Sequence, residues 1–232
     1  MAKKDLTKKP KATKGDIVYT GAKAVLSVIP LIGGPLKELF SAIVAPPLAK
    51  RQNEWIESIA EGLVELHNKV DSFDIDALSE NESFITTVTY ATIIALRNHK
   101  EMKIKALRNA VLNSAVGNAP DDDLQLMFLN FIDAFTPWHL RILMFYNDPK
   151  AWGEKNNINY PNWTLGGASS VLEHAFPELK GKREFYDQIV KDLHNRGLTT
   201  TSELHITTSR NGMFQSLTTN MGKDFLDFIL IK

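Results

Sequence analysis

The stretch KREFYDQIVKDLHNRGLTTTSELHITTSRNGMFQSLTTNMGKDFLDFIL, residues 182–230, changes its hydrophobic period twice, and the fold turns on how it is read. Through 182–195, Phe185, Ile189 and Leu193 recur on one face at helical spacing, and Gly197 stops the run. ELHITT (203–208) and MFQSLTT (213–219) then read as two strands around SRNG (209–212), because Asn-Gly supplies the backbone freedom a tight hairpin needs. GKDFLDFIL (222–230) returns to helical spacing around Phe225, Leu226, Phe228 and Ile229.

Upstream of this stretch the signals are helical throughout. Ser170 and Glu173 make a capping-box pattern ahead of VLEHAF, and an Asn-rich polar loop occupies 153–163. Thr136 and Pro137 open WHLRILMFYN, while Leu124, Met127, Phe128, Phe131 and Ile132 mark the helix before it, with the Asp run 121–123 suited to its N-terminus. Residues 101–116 place Ile104, Leu107, Ala110 and Val111 inward and Lys103, Lys105 and Arg108 outward, ending at Gly117 and Pro120. Ser79 and Glu82 form a second capping-box pattern before FITTVTYATIIALR. Pro46 and Pro47 open the amphipathic run LAKRQNEWIESIAEGLVELHNKV, whose apolar face carries Leu48, Trp55, Ile56, Ile59, Leu63, Leu66 and Val70.

The N-terminal part is different. Residues 1–14 hold six lysines against one aspartate and lack apolar periodicity, which predicts a disordered basic arm. The uncharged run AVLSVIPLIGGPL (24–36) is interrupted by Pro30, Gly33, Gly34 and Pro35 and is too short to span a bilayer, so a broken helix pair is expected over 22–49. Lys8, Lys9 and Lys11, with Val25, Ile29, Leu31, Leu36, Phe40 and Ile43, are the candidates for membrane or oligomer contact. Such lysines contribute about 1 kcal/mol each near an anionic surface.

These pieces predict a mainly α protein: a disordered arm over 1–14, a helical layer over 15–119, and a winged-helix-like module with one β-hairpin over 120–232. The resemblance to a winged helix lies in the order helix, short helix, longer helix, hairpin, helix. In that family the third helix enters the major groove and the hairpin meets the backbone. The residues that would do so here are Arg183, Lys191, Arg196 and Arg210. Charge argues against it: the 120–232 segment is net −3, whereas phosphate contacts need a surplus of cations. A DNA-binding transcriptional regulator is therefore the alternative reading, and protein docking the favoured one.

Composition removes several chemistries. With 27 Lys+Arg balancing 27 Asp+Glu the formal charge is zero, and 44% hydrophobic residues suit a globular chain. No cysteine is present, so disulfides, thiolate-bound metals and thiol nucleophiles are excluded. The six histidines follow no HExxH or His-x-His spacing, and no phosphate loop or GxSxG elbow occurs. No catalytic residue, metal ligand or cofactor is expected, and the protein is read as non-enzymatic. With no export signal, a cytoplasmic setting is expected, or a peripheral one at the inner face of the cell membrane.

IPLIGGPLKELFSAIVAPPLAKRQNEW (29–55), ALRNAVLNSA (106–115) and TPWHLRILMFYNDP (136–149) together resemble the bacterial abortive-infection alpha family over most of 20–232. None of these strings is a catalytic motif, so the resemblance implies a setting, antiphage defence, and no transferable site residue. The expected partners are a second copy of the chain and a protein target, with membrane engagement by the N-terminal pair and nucleic acid less favoured.

Overall fold

The structure is a computed structural model that describes residues 34–70 and 73–231, with side chains from Pro46 onward. The first element, α1 (Gly34–Lys69), is a 36-residue helix that contains Pro46 and Pro47. The expected break at these prolines does not occur. Each proline withdraws one backbone donor, but its fixed φ is helical, and the helix-forming run after it carries the helix through. The part of the expected helix pair before residue 34 lies outside the described residues. Ile56, assigned to the apolar face, is 52% exposed.

By its contacts the chain divides into residues 1–60 and residues 61–232, and the division falls inside α1. In the second unit a 3-10 turn (Asp76–Glu80) leads to α2 (Glu82–Arg97), α3 (Glu101–Ala115), α4 (Asp122–Ala134), α5 (Pro137–Asn147) and α6 (Pro149–Lys155). Then come β1 (Leu165–Gly166), α7 (Ala168–Ala175), a 3-10 turn (Pro177–Leu179), α8 (Arg183–Asn195), β2 (Thr208–Ser209), α9 (Arg210–Met213) and α10 (Asn220–Ile229). The architecture is mainly α with a small antiparallel two-stranded sheet, as the sequence predicts.

The residues that form that sheet are not those expected. β1 pairs with β2 through Leu165 opposite Ser209 and Gly166 opposite Thr208. The expected turn at 209–212 begins the short helix α9, because the Ser209 hydroxyl accepts from the Gly212 N–H and caps it. Of the 203–208 and 213–219 strands, the first keeps only Thr208, and Thr218 makes an isolated bridge to Thr199. With Ser209 three residues ahead of Gly212, the Asn-Gly pair falls in the first turn of a helix instead of in a hairpin.

α3 is the central element and packs against α2, α4 and α10. Phe128 of α4 meets Phe225 of α10 edge-on at 5.2 Å and Phe228 at 5.9 Å, and all three rings are buried. A second aromatic group joins Phe145, Tyr146, Trp152 and Phe176, with Phe145 and Phe176 at 5.4 Å. Helix starts follow the sequence in part. Asp121 accepts from the Leu124 N–H at 3.1 Å, and Thr136 caps α5. The cap of α2 is Asn81 instead of Ser79, and α7 begins at Ala168, which places Ser170 inside the helix.

Candidate docking face

Of the residues proposed from sequence for membrane or oligomer contact, Lys8, Lys9, Lys11, Val25, Ile29 and Leu31 lie outside the described residues. Leu36, Phe40 and Ile43 fall within α1, and their side chains are outside the described part.

The four candidate DNA-contact cations are dispersed. Arg183 Nε lies 3.3 Å from Asp187 Oδ2, one turn along α8. Arg196 sits over the rings of Phe131 and Phe135 at 5.0 and 5.2 Å. Arg210 donates to the carbonyls of Pro161 (3.0 Å) and Trp163 (3.4 Å) and to Asn162 Oδ1 (3.1 Å), which anchors the Asn-rich loop. Lys191 alone is exposed with no partner among the described residues. Three of the four are thus engaged by the fold, and no contact among the described residues joins one to another.

Two histidine–carboxylate pairs form across distances that no sequence spacing reveals. His205 Nε2 lies 2.8 Å from Asp187 Oδ1, so Asp187 is shared between His205 and Arg183. The one carboxylate therefore orients the imidazole and holds the guanidinium. Nearby, Tyr186 Oη donates to Glu173 Oε1 at 2.7 Å; burial, then that bond, push the phenol well above its usual range.

The second pair involves His139, which is buried and stacked on Phe135 at 4.7 Å. Its Nδ1 accepts from the Thr136 N–H at 3.1 Å, which leaves the proton on Nε2, 3.4 Å from Asp192 Oδ2. Burial lowers its pKa, and the Asp192 bond opposes that shift. Lys103, expected outside, is 5% exposed and donates from Nζ to the Asp133 carbonyl at 2.8 Å, while Asp133 also takes Arg97 Nη2 at 2.7 Å. Burial lowers the Lys103 ammonium, with Asp133 opposing. Its cation meets the last turn of α4, where helix carbonyls favour positive charge. These clusters tie helix to helix.

Hollows open on the second unit. One of about 340 Å³ is lined by Lys150, Glu154, Asn157, Tyr160, Arg210 and Phe214. An apolar one of about 320 Å³ lies along Met102, Ala106, Met144, Ile229 and Leu230. Another, about 530 Å³, is bordered by Leu66, Val70, Asn113, Val116, Asp227 and Ile231. Among the described residues no group of three His, Asp or Glu side chains is placed to hold a metal ion, and no helix is long and apolar enough to cross a membrane.

The outward face of α2 carries no charge between its two ends. Phe84, Thr87, Ala91, Ile94 and Ala95 are its buried side. On the opposite side Thr86 and Thr89 are exposed, Tyr90 is 45% exposed and Ile93 53%. From 83 to 96 the helix carries no charge at all. The Thr89 hydroxyl is bonded to the Ile85 carbonyl at 2.7 Å, so it too is spent on the helix itself. Solvated helix faces are normally charged, whereas this one is uncharged and exposes two large side chains. Periodicity finds the uncharged run but cannot tell which side is left open.

No protein-family model matches this chain, and neither a curated protein nor a solved structure does.

Proposed function

We propose that this chain is a non-enzymatic protein of the abortive-infection type, which acts by docking to another macromolecule. The observation that carries the reading is the outward face of α2, where Tyr90 and Ile93 are exposed on a helix without charge from 83 to 96. The basic arm and the apolar 24–36 run support a second point of attachment, at an anionic membrane surface, from sequence alone. A DNA-binding role has less support, since three of its four candidate cations are occupied within the fold.

The test is protection of a bacterial host against phage. Tyr90→Asp and Ile93→Asp are expected to abolish protection while thermal unfolding stays within a few degrees of the parent, because both sites are exposed. His205→Gln is expected to protect normally. Protection that survives both α2 variants but is lost in a well-folded His205→Gln protein overturns the proposal in favour of chemistry at the Asp187 pair.

A further inference from the structure

Six residues of α2 lie within about 100° of its circumference, at 100° per residue, on the side away from the core: Glu82, Thr86, Thr89, Tyr90, Ile93 and Arg97. A stripe running the length of a helix maps onto itself when the helix is reversed about its midpoint, so what matters is what the paired positions carry. Reversal about a point between Thr89 and Tyr90 sets Glu82 against Arg97, Thr86 against Ile93, and Thr89 against Tyr90. The paired positions carry opposite charges at the ends and uncharged side chains between them. That is the condition for a two-fold contact, in which one patch meets its own copy.

From this self-complementarity we infer that the partner of the α2 face is a second copy of the chain, with the two α2 helices antiparallel across a two-fold axis at Thr89 and Tyr90. The inference rests on the docking role proposed for this face and names its occupant. Glu82 is exposed and has no partner among the described residues. Arg97 holds Asp133 through Nη2, yet its side chain is 60% exposed and can meet a second carboxylate. Antiparallel packing also sets the positive N-terminus of each helix beside the negative C-terminus of the other. Ile93, the largest exposed aliphatic residue of the stripe, fits over the smaller Thr86 of the copy. A 16-residue helix is about 24 Å long, so the contact belongs to the small, reversible class of interface.

The full-length chain tests this directly, because it contains no cysteine and any thiol introduced is unique. Sedimentation velocity from about 1 to about 100 μM is expected to show a monomer–dimer equilibrium, and Ile93→Asp to raise its dissociation constant about tenfold or more. Thr89→Cys is expected to cross-link to itself with a short bis-maleimide, Asn195→Cys on α8 not to, and Ile93→Asp to abolish the Thr89→Cys cross-link. A dimer that survives Ile93→Asp and does not cross-link through residue 89 overturns the inference. A chain that stays monomeric while Thr89→Cys reacts freely with a monofunctional maleimide also overturns it, but leaves docking to a different protein standing. If that thiol is blocked in a monomer, the chain covers its own face, and both the inference and the docking role fail.

Discussion

His139 shows how one side chain can serve as cap, core residue and charge at once. Its Nδ1 closes the capping box at Thr136, a place usually taken by Glu or Gln. Burial lowers its pKa, so below about pH 6.5, the ordinary value, the unfolded chain takes up a proton that the folded protein refuses. Stability is therefore expected to fall as pH drops below 6.5 and to stop falling once the folded imidazole itself protonates. His139→Gln, which keeps an acceptor at the cap but cannot titrate, should flatten this part of the profile in urea melts at pH 5 and pH 7.5. At the same scale, Tyr146 donates from a buried ring to the Ala168 carbonyl at 3.2 Å. Tyr146→Phe is expected to cost about 1 kcal/mol by urea midpoint.

Among the elements, α10 depends on α3 and on the segment before it. Asn113 Nδ2 reaches the carbonyls of Asp227, Phe228 and Leu230 at 2.9–3.0 Å, and Asn109 Nδ2 reaches that of Ile229 at 2.9 Å. Two amides one turn apart thus satisfy the carbonyls at the end of α10, which otherwise have no helical partner. Asn113→Ala leaves buried acceptors bare and is expected to cost about 2 kcal/mol, read from the shift in chemical unfolding. At the other end of α10 a Cβ on Gly222 would press on the Leu198 carbonyl and come within 2.6 Å of Thr218 Cγ2. The carbonyl is backbone and cannot swing aside, so Gly222→Ala is expected to lose about 1–3 kcal/mol and to lower the melting temperature by several degrees.

At the scale of the molecule, three of the four cations that a DNA reader would need are held by a carboxylate, aromatic rings or loop carbonyls, and Lys191 stands apart from them. Duplex DNA binding, measured by fluorescence anisotropy at 50 mM salt, is therefore expected to be weak and unchanged when Arg183 and Lys191 are neutralised. Integrity of the 61–232 unit rests on its aromatic centre. Phe128→Ala, which empties the meeting point of α4 and α10, is expected to cost about 3–5 kcal/mol.

Much of this was legible in the residues themselves. Helical spacing located α3, α4, α5, α8 and α10, the Asp run at 121–123 and Thr136 marked helix starts, and Gly117 and Gly197 take the positive φ that ends a helix, 72° and 74°. These features are local, decided by neighbours three or four positions away. What needed the tertiary structure was everything set by distant partners. The strand that leads into the Ser209-capped helix start pairs with Leu165 and Gly166, more than forty residues upstream. Lys103 turned inward because an α4 carbonyl and carboxylate stand ready for its charge, which a helical wheel cannot show. The histidine–carboxylate pairs join residues 18 and 53 positions apart, and the free side of α2 is whatever the packing of α3 and α4 leaves uncovered. Sequence periodicity specifies which side of a helix is able to be buried; only the competition among helices for one core decides which side is.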